Sequence, residues 1–512
     1  MSETTQKVLM LVSIILYLLI ILCIGIRSSR KNKNVSDFYL GGRRLGPLVT
    51  AMSAEASDMS SWLLMGLPGV AYLTGIADAG WTALGLAIGT YVNWLIVARR
   101  LRNYSQVNNS ITIPDFFSNR YRDNKNILLA IAAVIIIVFF IPYTGSGFAA
   151  CGKLFSSLFG IDYHVAMIVS ALIILAYTCL GGFLAASTTD FVQSIVMTIA
   201  LIVVLCFGVN VAGGFSEVFE NAKALPGYLS VNATYNVSTN SSDPYGFIKI
   251  ASTLAWGLGY FGMPHILLRF MAIKDSKKIK TSRRVASVWV VISLAIAIII
   301  GIIGLAMSAN GSIDVLDGSA SETVIVKIAH LLSTHGVIPA LIAGVILAGI
   351  VASTMSTSDS QLLAASSSVS ENIVRRVLKI NLSEKASMII ARITLIVISV
   401  IGIIIAWNPD SSVFSIVSFA WAGFGATFGP VVLFALFWKR SNKWGAMAGM
   451  ITGGITIFVW KYIVRPIGGA WDIYELLPAF ILASIAIVIV SLVTKAPEKE
   501  IVGEFEQVKT MK

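Results

Sequence analysis

Apolar runs long enough to cross a bilayer recur thirteen times along this chain, separated by polar loops. They lie at about 8–26, 49–75, 81–97, 127–154, 164–184, 191–211, 247–273, 285–307, 337–367, 388–407, 413–438, 445–464 and 476–493. A hydrocarbon core of ~30 Å is spanned by ~20 helical residues. Backbone amides at that depth must bond inside the protein, which leaves only helix bundles and closed barrels. Barrel strands alternate apolar and polar residues, and these runs do not. The chain therefore reads as an all-α polytopic membrane protein. The composition agrees, with 56% of residues hydrophobic and only 12% charged.

The net charge of +12 resembles that of a protein that binds a polyanion. The placement of the charges says otherwise. Arg27, Arg30, Lys31, Lys33, Arg43 and Arg44 crowd the first loop, and Arg99, Arg100, Arg102, Arg120, Arg122 and Lys125 the third. Later clusters are Lys274–Arg284, Arg375–Lys379 and Lys439–Lys443, while the intervening loops are neutral or acidic. Every second loop is basic, as the positive-inside rule requires. The reading is an N-terminus outside, a cytoplasmic C-terminus and no nucleic-acid partner. The first apolar run is flanked by RSSRKNKN rather than by a small-residue cleavage site, so it reads as a retained helix. The long polar segment at about 213–245 belongs outside; its Asn-x-Ser/Thr matches at Asn232, Asn236 and Asn240 matter only in a eukaryotic secretory route. The four cysteines fall in or beside apolar runs without a CxxC pair, and read as small buried hydrophobes.

Two runs are interrupted. Segment 2 carries Glu55 and Asp58 among Ser53, Ser57, Ser60 and Ser61, followed by Gly-Leu-Pro-Gly at 66–69. Segment 7 carries WGLGYFGMPH at 256–265. Broken spans at matching places in two halves point to an inverted-repeat transporter with its site near the midplane. Segments 2–6 (about 46–212) and 7–11 (about 246–438) would be the repeats. Segments 1, 12 and 13 (about 8–26, 445–464 and 476–493) would be peripheral, in one transporter domain spanning 1–494 with a tail at 495–512.

Three constellations carry chemistry. A charge at membrane depth costs about 2.5–3.5 kcal/mol, so Asp58 demands a partner, a cavity or an ion. Glu55, a turn nearer the cytoplasm, reads as facing a water-filled vestibule. In segment 9, Ser353, Thr354, Ser356, Thr357, Ser358, Asp359 and Ser360 crowd one span. Hydroxyl and carbonyl oxygens with few charges suit a hard monovalent ion that must also leave; close packing of small residues is the competing explanation. The third set is aromatic: Tyr143 in segment 4, with Trp256, Tyr260 and Phe261 in segment 7. Beside a broken helix they can enclose an apolar ring. Asp190 reads as a helix N-cap in a turn before segment 6, or as part of a second cation site. No nucleotide-binding loop, zinc-protease motif or nucleophile elbow occurs, so neither an enzyme nor a pump driven by ATP is indicated, and no cofactor.

The runs EASDMSSWLLMGLPG, WGLGYFGMPHIL with RFMA, MSTSDSQLL and AWAGFGATFGPVVLFALFW closely resemble the bacterial proline-transporting branch of the sodium/solute symporter family. The resemblance extends from the first segment to the thirteenth. It implies a LeuT-like fold of thirteen helices and uptake of L-proline coupled to Na+ across the bacterial cytoplasmic membrane, with no obligatory protein partner. By position it implies Na+ ligands at Ala56, Met59, Ser353, Ser356 and Thr357, and coupling roles for Asp58, Ser60 and Arg43. It places Tyr143, Trp256, Tyr260, Pro264 and Trp62 at the proline site, and Asp190, Asp359 and Ser360 at a possible second cation site. Glu55 and Asp359 depart from the pattern, standing where small residues or serine are common. Alternatives are a sodium symporter for pantothenate, a sugar or a carboxylate, a transporter-like sensor, and a passive channel.

Overall fold

The computed structural model describes residues 1–29, 35–381 and 383–511. Arg30, Lys31 and Lys33 of the first basic loop lie outside them. Among the described residues are twenty α-helices, short 3-10 and π stretches and one small hairpin. In order they are α1 (Glu3–Ser29), α2 (Val35–Leu40), α3 (Pro47–Asp58), α4 (Leu67–Thr74), α5 (Ile76–Val92), α6 (Ala98–Val107), α7 (Ile113–Arg120), α8 (Ile127–Phe159), α9 (Tyr163–Val211) and α10 (Phe215–Ala224). After the hairpin β1 (Ala233–Asn236) and β2 (Ser241–Pro244) come α11 (Phe247–Leu254), α12 (Pro264–Ala272), α13 (Ile279–Ala309), α14 (Val324–Ser333) and α15 (Val337–Ser367). The chain closes with α16 (Glu384–Ile405), α17 (Val413–Phe437), α18 (Lys443–Val459), α19 (Leu476–Val493) and α20 (Lys499–Thr510). Among the described residues, ten helices are long and apolar enough to cross a membrane.

Both expected interruptions are present. Segment 2 is α3, a break at Met59–Ser60, a π turn at Trp62–Gly66, and α4. Met59 leaves the helical path at φ −76, ψ 68. The break is set by the serines after Asp58, not by Gly-Leu-Pro-Gly. Pro68 sits in the first turn of α4, where a missing N–H costs little. Segment 7 is α11, a 3-10 stretch at Ala255–Phe261, a break at Gly262–Met263, and α12 opening on Pro264.

Segments 5 and 6 correct one expectation. They form the two arms of α9, and the corner is Gly182 (φ 71, ψ 175), a conformation that glycine alone adopts without strain. Asp190 is therefore inside the second arm and not an N-cap in a turn. The polar run before it stays helical because its hydroxyls bond back to the previous turn: Thr188 Oγ1 donates to the Leu184 carbonyl (2.7 Å) and Thr189 Oγ1 to that of Ala185 (3.1 Å).

The bundle centre is α15, packed against α1, α8, α9 and α3. Ala343, Gly344, Ala348, Gly349, Ala352 and Ser353 let the neighbouring backbones approach. The outer helices are the reverse: Ile389, Ile393 and Ile404 of α16 and Ile485, Ile489 and Val493 of α19 are exposed, as a lipid-facing surface needs. One end of the bundle carries the basic loops, the other the hairpin. At the basic end a two-bond parallel bridge joins the halves: Leu45 N–H donates to the Ala272 carbonyl (3.2 Å) and Lys274 N–H to that of Leu45 (2.9 Å).

Candidate functional site

The break in segment 2 faces α15. Ser356 Oγ donates to the Ala56 carbonyl at 2.7 Å and to the Ser353 carbonyl at 3.1 Å. Thr357 Oγ1 donates to the same Ser353 carbonyl at 3.1 Å. Met59 is buried at the break, its N–H bonded to the Glu55 carbonyl (2.8 Å). Four of the five expected ligand residues are thus joined directly, and the fifth lies at the adjoining turn. All the donors are neutral oxygens, a chemistry that fits a hard monovalent cation.

Asp58 links this break to the other one. Its Oδ2 accepts from the Tyr260 hydroxyl (2.5 Å), and its backbone carbonyl accepts from Tyr143 (3.3 Å). Ser60 receives the Trp62 N–H at Oγ (3.2 Å), which holds the first turn after the break. Above it lies an aromatic roof. The Trp256 ring is 5.6 Å from that of Trp62, 5.3 Å from Phe414 and 5.2 Å from Tyr474. Trp421 packs edge-on to Tyr260 (5.1 Å) and donates to the Trp256 carbonyl (2.7 Å). A side chain at Gly259 would collide with Trp421, its Cβ falling 1.9 Å from the indole nitrogen. Pro264 is buried where α12 restarts. Over the roof, toward the hairpin end, a cavity of about 200 Å3 holds Asp78, Lys249, Arg465 and Asp472.

Several partners were not singled out from the sequence. Glu55 faces no vestibule: it is buried, accepting from Trp94 Nε1 (2.9 Å) and Thr90 Oγ1 (3.2 Å). Asn93, on the same polar face, donates to the Tyr260 carbonyl at the segment 7 break (2.9 Å). These residues stand in and just before a π turn at Asn93–Val97, a local irregularity common at functional sites. Three polar residues within one apolar run were the available signal. Phe414 is held by Glu322, which accepts from the Phe414 N–H (3.1 Å) and the Ser412 hydroxyl (2.8 Å) and pairs with Lys153 (2.7 Å).

The proposed second cation residues also converge. Asp190 Oδ2 accepts from Ser53 Oγ (2.6 Å) and Arg269 Nη2 (3.0 Å). The same Nη2 donates to Ser360 Oγ (2.5 Å), which in turn donates to Asp359 Oδ1 (3.1 Å). Arg269, fully buried on α12, is the residue missed here. Arg43, by contrast, sits at the basic end. Its guanidinium donates to the Met271 carbonyl (2.6 Å), the Ser105 hydroxyl and carbonyl (3.0 and 2.9 Å) and the Ser110 carbonyl (2.7 Å). Burial, with Arg102 nearby, lowers its pKa to about 10, so it stays charged at neutral pH. It stitches three chain segments across the basic end.

Residues 38–453 match the model of the sodium:solute symporter family. The chain belongs to that family. As a sodium:solute symporter it moves a solute together with Na+ and does not transform it. It is 44% identical over 504 residues to the "Sodium/proline symporter" of Haemophilus influenzae, covering 97% of each chain. It is 40% identical to the "Sodium/proline symporter" of Escherichia coli (97% and 96% covered) and to the "Osmoregulated proline transporter OpuE" of Bacillus subtilis (96% and 96%). Among solved structures it superposes on a Na+-coupled sialic acid symporter in a substrate-bound outward-open state (TM-score 0.76, 18% identity, 96% and 99% covered). It also superposes on MhsT in complex with L-phenylalanine (TM-score 0.56, 13% identity, 88% and 98% covered). These two likenesses establish the LeuT-like fold.

Proposed function

We propose that this symporter takes up L-proline with Na+ across a bacterial cytoplasmic membrane by alternating access. The observation that carries the mechanism is the Asp58–Tyr260 bond, which joins the breaks of segments 2 and 7. The choice of proline rests on relatives named for proline across nearly the whole chain. In this reading thirteen segments cross the membrane, the hairpin end is outside, and residues 46–212 and 246–438 are the repeats. Na+ binds the carbonyls of Ala56, Met59 and Ser353 and the hydroxyls of Ser356 and Thr357, replacing the bonds these groups make to one another. That draws segment 2 onto α15 and fixes Asp58 and Ser60. Tyr260, Tyr143, Trp62, Trp256 and Pro264 then complete a pocket for the pyrrolidine ring. Each ligand thus raises the other's affinity, as linkage requires. Arg43 keeps the cytoplasmic end shut while the pocket fills from the outer cavity. A potential of 100 mV adds ~2.3 kcal/mol per Na+ carried.

Asp190, Asp359 and Ser360 form the candidate second cation site, with Arg269 supplying one fixed positive charge to two carboxylates. The remaining negative charge is what a second Na+ or a proton would neutralise. Reconstituted proteoliposomes test the reading. Labelled proline should accumulate with an inward Na+ gradient, faster with the interior negative, and collapse with a Na+ ionophore. Accumulation unaffected by the ionophore excludes Na+ coupling. Competition by pantothenate or a sugar but not by proline excludes the substrate.

A further inference from the structure

At the basic end, away from the site, a cavity of about 210 Å3 opens between the loop before α8, the start of α18 and the link from α19 to α20. Three cations line it: Arg122, Lys443 and Lys495. Arg122 pairs with Glu504 of α20. Lys443 lies 5.1 Å over the Trp444 ring, and among the described residues neither Lys443 nor Lys495 has a carboxylate partner. Glu498 is the one carboxylate in the lining. Counting it and Glu504 against the three cations leaves one positive charge in surplus. The first turn of α18 adds the partial positive end of a helix of 17 residues beside the lysines.

The position matters as much as the charge. Directly next to the cavity, Trp444 (49% exposed), Leu492 (57%) and Val493 (77%) face outward on α18 and α19. This is where the hydrocarbon-facing surface meets the basic loops, and an indole there marks the membrane interface. Basic pockets between helices at that level suit anionic lipid headgroups. We propose that this cavity binds the phosphodiester of an anionic phospholipid, its acyl chains lying along Leu492, Val493 and Trp444. One monoanionic phosphodiester matches the one surplus charge. The lipid would also bind α20 to the bundle, since that helix supplies Glu504 to Arg122 and inserts Phe505 between Arg100 (4.8 Å) and Arg120 (5.5 Å).

Native mass spectrometry of the full-length protein in detergent tests this. Phosphatidylglycerol and phosphatidylcholine of identical acyl chains are added in turn, and bound lipids are counted. Wild type should retain one more phosphatidylglycerol than phosphatidylcholine; equal retention overturns the proposal without any variant. Lys443→Gln with Lys495→Gln should weaken phosphatidylglycerol retention by about tenfold or more, whereas Lys499→Gln, outside the lining, should not. Equal loss in both variants means general surface charge and overturns the site. Inorganic phosphate in millimolar excess should fail to displace the lipid; full displacement would show a site for free phosphate and remove the lipid as its occupant.

Discussion

Two oxygen-rich clusters lie on α15 within one helical turn, and they are built on opposite principles. The Ala56–Ser356 cluster is assembled from neutral groups: two carbonyls and two hydroxyls bonded to one another. The Asp190–Asp359 cluster is assembled from charges, with Arg269 fixed among them. Neutral dipoles can exchange their mutual bonds for an ion and take them back, so binding is reversible on a transport cycle. A guanidinium paired with a buried carboxylate does not exchange so easily, because each partner left alone is a desolvated charge. On the proposed reading, the difference teaches that buried polarity serves two ends: ready ion exchange at one cluster and, at the other, compensation by Arg269 that leaves one negative charge for a second Na+ or a proton.

The sharpest way to break that contrast is Arg269→Gln. It leaves Asp190 and Asp359 without a cation and should cost about 3–5 kcal/mol of stability. Thermal unfolding in detergent should show a large fall, restored in part by adding Asp190→Asn. An unchanged midpoint would mean that Arg269 is not the compensating charge. Next comes Asp58→Asn. It replaces a charged acceptor of the Tyr260 hydroxyl by a neutral one, worth about 1.5–3 kcal/mol, and should raise the Na+ concentration for half-maximal proline uptake by about 10- to 100-fold. Near-wild-type Na+ dependence in an inserted protein would sink the coupling role.

Ser356→Ala removes one neutral ligand and should raise that Na+ requirement about tenfold, or ~1.4 kcal/mol, with little change in unfolding temperature. Comparable losses in stability and in Na+ affinity would erase the distinction between the clusters. The smallest effect is expected for Asp359→Ser, which puts a hydroxyl in place of a carboxylate. It should change the Na+ Hill coefficient or the pH dependence of uptake; constancy of both would assign Asp359 a packing role alone.

Much of this was legible in the sequence because membrane insertion leaves few choices. Apolar runs gave the helices, basic loops gave their alternation, and Gly, Ser and Pro within two runs gave both breaks. What failed was the placement of single residues. Thr188, Thr189 and Asp190 look like a turn, but in an apolar setting hydroxyls satisfy the preceding carbonyls and the helix continues; the corner goes to Gly182 instead. Glu55 looks like a water-facing carboxylate until Thr90 and Trp94 are brought to it from 35 and 39 residues away. Arg269 lies within segment 7 and draws no notice, since nothing along the chain shows that α12 turns it inward toward α9 and α15. The hairpin of β1 and β2 hides in a stretch of Asn, Ser and Thr that reads as plain loop. Every miss depended on a distant partner or on a break in regular geometry.

The bridge between Leu45 and Ile273 has a mechanical meaning. It ties the basic-end roots of segments 2 and 7 through two backbone bonds that, among substitutions, only a proline at Leu45 or Lys274 would remove. Separating those roots would leave two N–H and two carbonyl groups to find other partners. The two half-helices α3 and α12 are therefore coupled levers: a motion that swings Asp58's helix at its root pulls on the restart of segment 7 until both bonds give way, at about 0.5–1.5 kcal/mol each.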